Sequence, residues 1–134
     1  AALNIQRGRD HGIPDYNTVR QAMGLPIKQA LSEITNSLEL QDSLAAAYGS
    51  VDDMDVWVAG LAEDPVPGSA LGELFHTIVG RQFEALRDGD RFWYERSLSS
   101  EEMDEVAGTR LADIIRRNTE ISDEISDNVF VVRD

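Results

Sequence analysis

Apolar positions along this chain recur at spacings of three and four, which is the period of a helix with one buried face. The best example is Leu71, Leu74, Phe75, Ile78, Val79, Phe83 and Leu86. That pattern predicts an amphipathic helix capped by Ser69 and ending at Arg87-Asp88-Gly89-Asp90. Ser37 to Tyr48 is predicted helical, with Leu38, Leu40, Leu44 and Ala45 on its apolar side and Gly49 as a left-handed cap. Asp52, Asp53 and Asp55 sit where negative charge favours a helix start, so residues 53–62 should be helical with Val56 and Trp57 inward. Between these two helices and the long one, the two prolines of residues 63–68 predict an exposed loop.

The flanks are less regular. Ala1 to Gln6 reads as the last turns of an uncapped helix, stopped by Gly8, Gly12 and Pro14. Asp15 or Tyr16 opens a short helix through Met23, closed by Gly24 and Pro26. Ile27, Leu31 and Ile34 predict a further helical turn or two over 27–34. Arg91 to Glu95 is an aromatic run expected to be extended. Ser99 and Glu102 form a capping box for a helix that runs, with a break near Gly108, to Arg117. Asn128 to Val132 is expected to be extended. The fold class is therefore mainly α, with several helices and minimal β at the C-terminus. There is no internal repeat.

Composition narrows the partners. A single segment of 134 residues is long enough to bury a core. A formal net charge of -13 argues against nucleic acid or an anionic membrane. No apolar run approaches the roughly 18 residues of a membrane span. Without cysteine, thiolate catalysis and cysteine metal sites are excluded. The uncapped start, with no initiator methionine and no signal-peptide pattern, leads us to expect a piece of a longer protein.

Candidate chemistry concentrates in residues 3–17. His11 follows Asp10, but side chains adjacent in sequence diverge, so the two are not a catalytic pair; a loop histidine bonded to backbone is the simpler reading. His76 lies at the edge of the long helix's apolar face, and the two histidines lack zinc-site spacing. Val56-Trp57 breaks any calcium-loop reading of the acidic run. Asp88-Gly89-Asp90 reads as a helix-ending turn. The nucleotide-loop spacings of glycine are absent. Arg7 and Arg9 suit a carboxylate or phosphate clamp, and equally suit internal ion pairs with Asp10 or Asp15.

The stretch LNIQRGRDHGIPDYN at residues 3–17 closely resembles the signature of the animal-type haem peroxidases. The likeness continues through Arg20 and Met23-Gly24-Leu25-Pro26, returns at Arg87 to Glu95, and more loosely at Leu111 to Asn118. It implies the C-terminal part of a haem peroxidase catalytic domain, covering residues 1–134, on the proximal side of the haem. By that resemblance Asn4 accepts the ring N–H of the iron-ligating histidine, Arg7 pairs with a haem propionate, and Leu3 packs under the ring. The iron ligand, the distal histidine and arginine, and a calcium loop are expected upstream, with no metal ligand in this segment. The parent is expected to reduce hydrogen peroxide and oxidise a halide or small organic donor, in a secreted or extracytoplasmic setting. Absent cysteines suggest a bacterial-type relative. Two alternatives stand beside it: a degenerate, non-catalytic binding module, and a member of the cyclooxygenase-like fatty-acid dioxygenase branch. The isolated segment is expected to be inactive.

Overall fold

The computed structural model describes residues 1–131, which divide into two compact units, Ala1–Leu86 and the residues from Arg87 onward. In the first unit come α1 (Ala2–Asp10), α2 (Tyr16–Ala22), a 3-10 turn (Leu31–Glu33), α3 (Leu38–Ala47), a second 3-10 turn (Val51–Asp53) and α4 (Val56–Ala62). The long α5 (Glu73–Gly89) follows. Its core joins Tyr16, Ile34, Leu44, Val51, Met54, Ala59, Ala62 and Leu74.

Local chemistry explains most of these elements. Asp15 caps α2, its carboxylate accepting the Thr18 N–H at 2.9 Å and the Thr18 hydroxyl at 2.6 Å. At the other end Gly24 takes a left-handed φ of 74°, and the Leu25 N–H returns to the Arg20 carbonyl at 2.9 Å. Ser37 caps α3, accepting from the Leu40 N–H at 3.3 Å. Gly49 is not a left-handed cap, because Tyr48 ends α3 in extended conformation. Leu44 is the buried residue of α3, whereas Leu38 is exposed.

Beneath α2 lies a buried polar network. Arg20, fully buried, donates to the Pro26 carbonyl and the Glu63 carboxylate, each at 2.6 Å, and pairs with Glu73. Glu63 also accepts the Tyr16 hydroxyl at 2.5 Å and the Leu74 N–H at 2.7 Å. Glu63 is thus buried, although its neighbours 64, 65, 67 and 68 are the exposed loop the prolines predicted. Its carboxylate, not Ser69, receives the Leu74 amide in the first turn of α5; the Ser69 hydroxyl instead accepts the Leu71 N–H at 3.0 Å within its own turn. The helix consequently begins at Glu73, three residues later than a cap at Ser69 would set it.

Other departures have equally local causes. Gly8 does not stop α1, which continues to Asp10 before Gly12 turns the chain at φ 66°. Residues 25–29 are not helical. Pro26 interrupts them, and Asn17 holds the Lys28 backbone through both its amide groups, at 2.9 Å each. The helix expected over 53–62 is confined to α4, because the second 3-10 turn ends at Asp53, and α4 buries Ala59, Gly60 and Ala62 while Trp57 is exposed.

The second unit contains α6 (Tyr94–Ser97), α7 (Ser100–Gly108) and α8 (Leu111–Asn118). The aromatic run is not extended: Arg91 and Phe92 form a turn and Tyr94 opens α6, its ring 4.7 Å from that of Trp93. The Ser99–Glu102 capping box is present in both directions, and the break at Gly108 separates α7 from α8. Arg116 ties the tail down, reaching the carbonyls of Ser122 at 3.1 Å and Ile125 at 2.9 Å, and Asp127 at 2.9 Å. Asn128 to Phe130 is a turn and not a strand, because the Asn128 carbonyl accepts the Val131 N–H at 3.2 Å; Val132 lies outside the described residues. Among the described residues no helix is long and apolar enough to cross a membrane.

Candidate functional site: a cavity beneath the first helix

The first helix carries no fully buried residue, and of its apolar side chains only Ile5 is half-buried. Its polar side chains bond along the helix: Gln6 to Asp10 at 2.7 Å, and Arg7 Nη2 to Asn4 Oδ1 at 2.5 Å. Asn4 and Arg7 are three residues apart and therefore neighbours on one face. Past Asp10, His11 Nδ1 lies 2.8 Å from the Arg7 carbonyl, the backbone bond expected of a loop histidine. The turn at Gly12 then leads into an isolated antiparallel bridge between Asp15 and Asp55, with the Tyr16 N–H donating to the Met54 carbonyl at 3.0 Å.

Between α1 and the start of α4 this arrangement leaves a cavity of about 770 Å³. Ile5, Ile13, Met54, Val56, Trp57 and Phe75 supply its apolar wall, and the Trp57 and Phe75 rings lie 6.0 Å apart between centroids, tilted by 44°. Asn4, Arg7, His11 and three aspartates supply its polar edge. Such a volume and lining are those of a small-molecule or cofactor site. Leu3 does not line the cavity and stands 84% exposed beside it.

The two arginines have separate fates. Arg9 pairs with neither Asp10 nor Asp15 but with Asp55, 46 residues away, through Nε at 2.8 Å and Nη2 at 2.6 Å. Tyr48 donates its hydroxyl to the same carboxylate at 2.8 Å. The Arg9 hydrogen bonds hold the Asp55 carboxyl below the usual carboxylate range, against partial burial, and burial with the Asp55 contact raises the Tyr48 phenol. Arg7 has no carboxylate partner among the described residues, so most of its five N–H donors face solvent or the cavity edge.

The remaining candidates are structural. Asp52 accepts from Asn17 at 2.6 Å, His76 Nδ1 lies 3.2 Å from the Ser69 hydroxyl, and no metal-holding cluster occurs among the described residues. Asp88 pairs with Arg87 at 2.8 Å, the local partner of a helix-ending turn. Sequence reasoning did not single out Asp55 as the partner of Arg9, nor Trp57 and Phe75 as a cavity wall. Asp55 reads locally as one more acid at a helix start, and its partners are distant in the chain.

The profile for "Animal haem peroxidase" matches residues 1–130. The chain is 45% identical over 130 residues to Peroxinectin A of Dictyostelium discoideum, covering 97% of this chain and 24% of that protein. It is 39% identical over 135 residues to mouse (Mus musculus) myeloperoxidase, covering 97% of this chain and 19% of that protein. Among solved structures, Peroxidase A from Dictyostelium discoideum superposes with a TM-score of 0.76 at 46% identity, covering 87% of this chain and 23% of that one. An Oryza sativa fatty acid alpha-dioxygenase superposes with a TM-score of 0.75 at 26% identity, covering 89% and 20%. The chain thus spans about a quarter or less of these relatives. A match over nearly every residue, with the fold to accompany it, means that this chain belongs to the animal haem peroxidase family.

Proposed function

We propose that this chain is the C-terminal part of the catalytic domain of a haem peroxidase that reduces hydrogen peroxide and oxidises a halide or small organic donor. Its share of the work is support of the haem from the proximal side. The observation that carries this reading is the shared face of Asn4 and Arg7 on the edge of an apolar cavity, within the stretch that most resembles the family. The residues present fit such a cofactor. They offer apolar and aromatic walls for a flat ring, and at the edge a guanidinium with no carboxylate partner for an acidic substituent. Bound haem supplies the redox chemistry; the roles below belong to the chain.

The Asn4 amide oxygen has two lone pairs, of which Arg7 uses one. The other accepts the ring N–H of an iron-ligating histidine that this chain does not contain. Such a bond fixes the imidazole's orientation and raises its basicity. Arg7 pairs with a propionate, for which the guanidinium fork is suited. Leu3, now exposed, packs under the ring, and covering such a side chain is worth about 2 kcal/mol. The distal residues and a calcium site belong to the rest of the domain, and the setting is secreted or extracytoplasmic.

In the full-length protein, Asn4→Ala is expected to weaken the Soret-region haem signature and lower peroxidase turnover. Unchanged spectra and turnover would refute the role of Asn4. The isolated 134 residues with added haem should not oxidise guaiacol with peroxide; robust oxidation would overturn the division of labour. The likeness to the rice dioxygenase supports a second reading, a fatty-acid dioxygenase, and one of the related structures contains palmitic acid. The higher identity to the peroxidase, 46% against 26%, favours the first. Oxygen uptake with palmitate and no peroxide requirement would favour the second. A full-length protein that binds no haem would instead be the degenerate, non-catalytic module.

A further inference from the structure

We propose that Asp55 is a positioning residue for the haem-facing helix: through Arg9 it fixes where Asn4 and Arg7 stand over the cavity. The inference rests on the proximal-side reading of α1. A nine-residue helix with no buried residue is marginal by itself. Among the described residues the only side-chain hydrogen bonds from α1 to a distant element are the two from Arg9 to Asp55. Arg9 is five residues from Asn4 and two from Arg7, so a tether at Arg9 sets the register of both.

Asp55 is built for this use. It stands at the N-cap position of α4, where an aspartate ordinarily accepts from its own helix's first amides, yet its side chain makes no such bond. Both carboxylate oxygens face Arg9, and Oδ2 takes the Tyr48 hydroxyl as well. The Asp55 side chain is 16% exposed and the Arg9 side chain 59%. A bidentate pair anchored on a half-sheltered carboxylate with a third donor has the geometry that makes a surface ion pair count. The Asp55 backbone is itself pinned by the bridge to Asp15, so the anchor does not move with the helix it holds.

The test uses the full-length haem-loaded protein and two readouts. One is the midpoint potential of the haem, and the other is amide hydrogen exchange over residues 4–10 compared with α3. Asp55→Asn should move the potential in the same direction as Asn4→Ala but by less, and the double variant should shift it by less than the sum of the two single effects. Exchange over residues 4–10 should accelerate while that of α3 stays as it was. Arg9→Gln, which leaves the Asp55–Tyr48 contact intact, should reproduce both effects and serves if Asp55→Asn does not fold. An unmoved potential in Asp55→Asn and Arg9→Gln while Asn4→Ala shifts it, additive effects in the double variant, or equal acceleration in α3 would overturn the proposal. An unmoved potential in Asn4→Ala would sink the proximal reading of Asn4 instead, and the exchange data would still decide whether Asp55 holds α1.

Discussion

Replacing Glu63 by Gln should cost this chain about 3 kcal/mol, because one buried carboxylate serves three donors. Its Oε1 accepts the Tyr16 hydroxyl at 2.5 Å and Arg20 at 2.6 Å, and Oε2 accepts the Leu74 N–H at 2.7 Å. A glutamine fits the space but presents one acceptor and one donor group. With its oxygen kept toward Arg20 and Tyr16, the NH2 faces the Leu74 N–H and orphans it, at about 1–3 kcal/mol. Arg20, fully buried, also loses a charge partner, and breaking a buried pair typically costs 3–5 kcal/mol. Glu73 also pairs with Arg20 and keeps part of that charge compensated, which brings the total to the lower end of the range. For a chain of this length the loss corresponds to a melting temperature lower by roughly 10 °C. Urea unfolding followed by circular dichroism should show a lower midpoint at unchanged slope. A loss below about 1 kcal/mol would refute the argument that this network organises the first unit.

Two glycines should respond to alanine with opposite signs. A Cβ at Gly60 would sit 2.6 Å from the Phe75 ring, so Gly60→Ala should destabilise by about 1–2 kcal/mol despite the helix propensity gained, as thermal unfolding would show. Gly80 in α5 has nothing within 4 Å, and Gly80→Ala should stabilise by about 0.5–1 kcal/mol in the same assay. Acid sensitivity follows from carboxyls held low in the fold: Asp55 by Arg9, Glu73 by Arg20 and Asp15 by Thr18. Their folded values lie below the unfolded ones, so this stability is complete only above about pH 5 and is lost as pH falls through the folded values. Denaturation midpoints should therefore drop below about pH 5, and Asp55→Asn should flatten part of that fall.

The helices that announce themselves in the sequence are those whose signals are local. Asp15 with Thr18, Ser37 with Leu40, and Ser99 with Glu102 each place the cap and its amide three residues apart. Where the sequence misled, a distant side chain had taken over a backbone group. Asn17 occupies the Lys28 N–H and carbonyl that a helix over 27–34 would need, and Glu63 displaces Ser69 as the cap of α5. The candidate site shows the same division. Asn4 and Arg7 sit one helical turn apart and could be placed on one face from spacing alone. The cavity beside them needs Met54, Trp57 and Phe75, and the tether needs Asp55, contacts that only the fold brings together.

The most direct test of the proximal role is the midpoint potential of the haem in the full-length protein with and without Asn4. A hydrogen bond that raises the ligand's basicity favours the higher oxidation state, so Asn4→Ala should make the potential more positive. A potential that stays where it was, in a variant that still binds haem, would contradict the account.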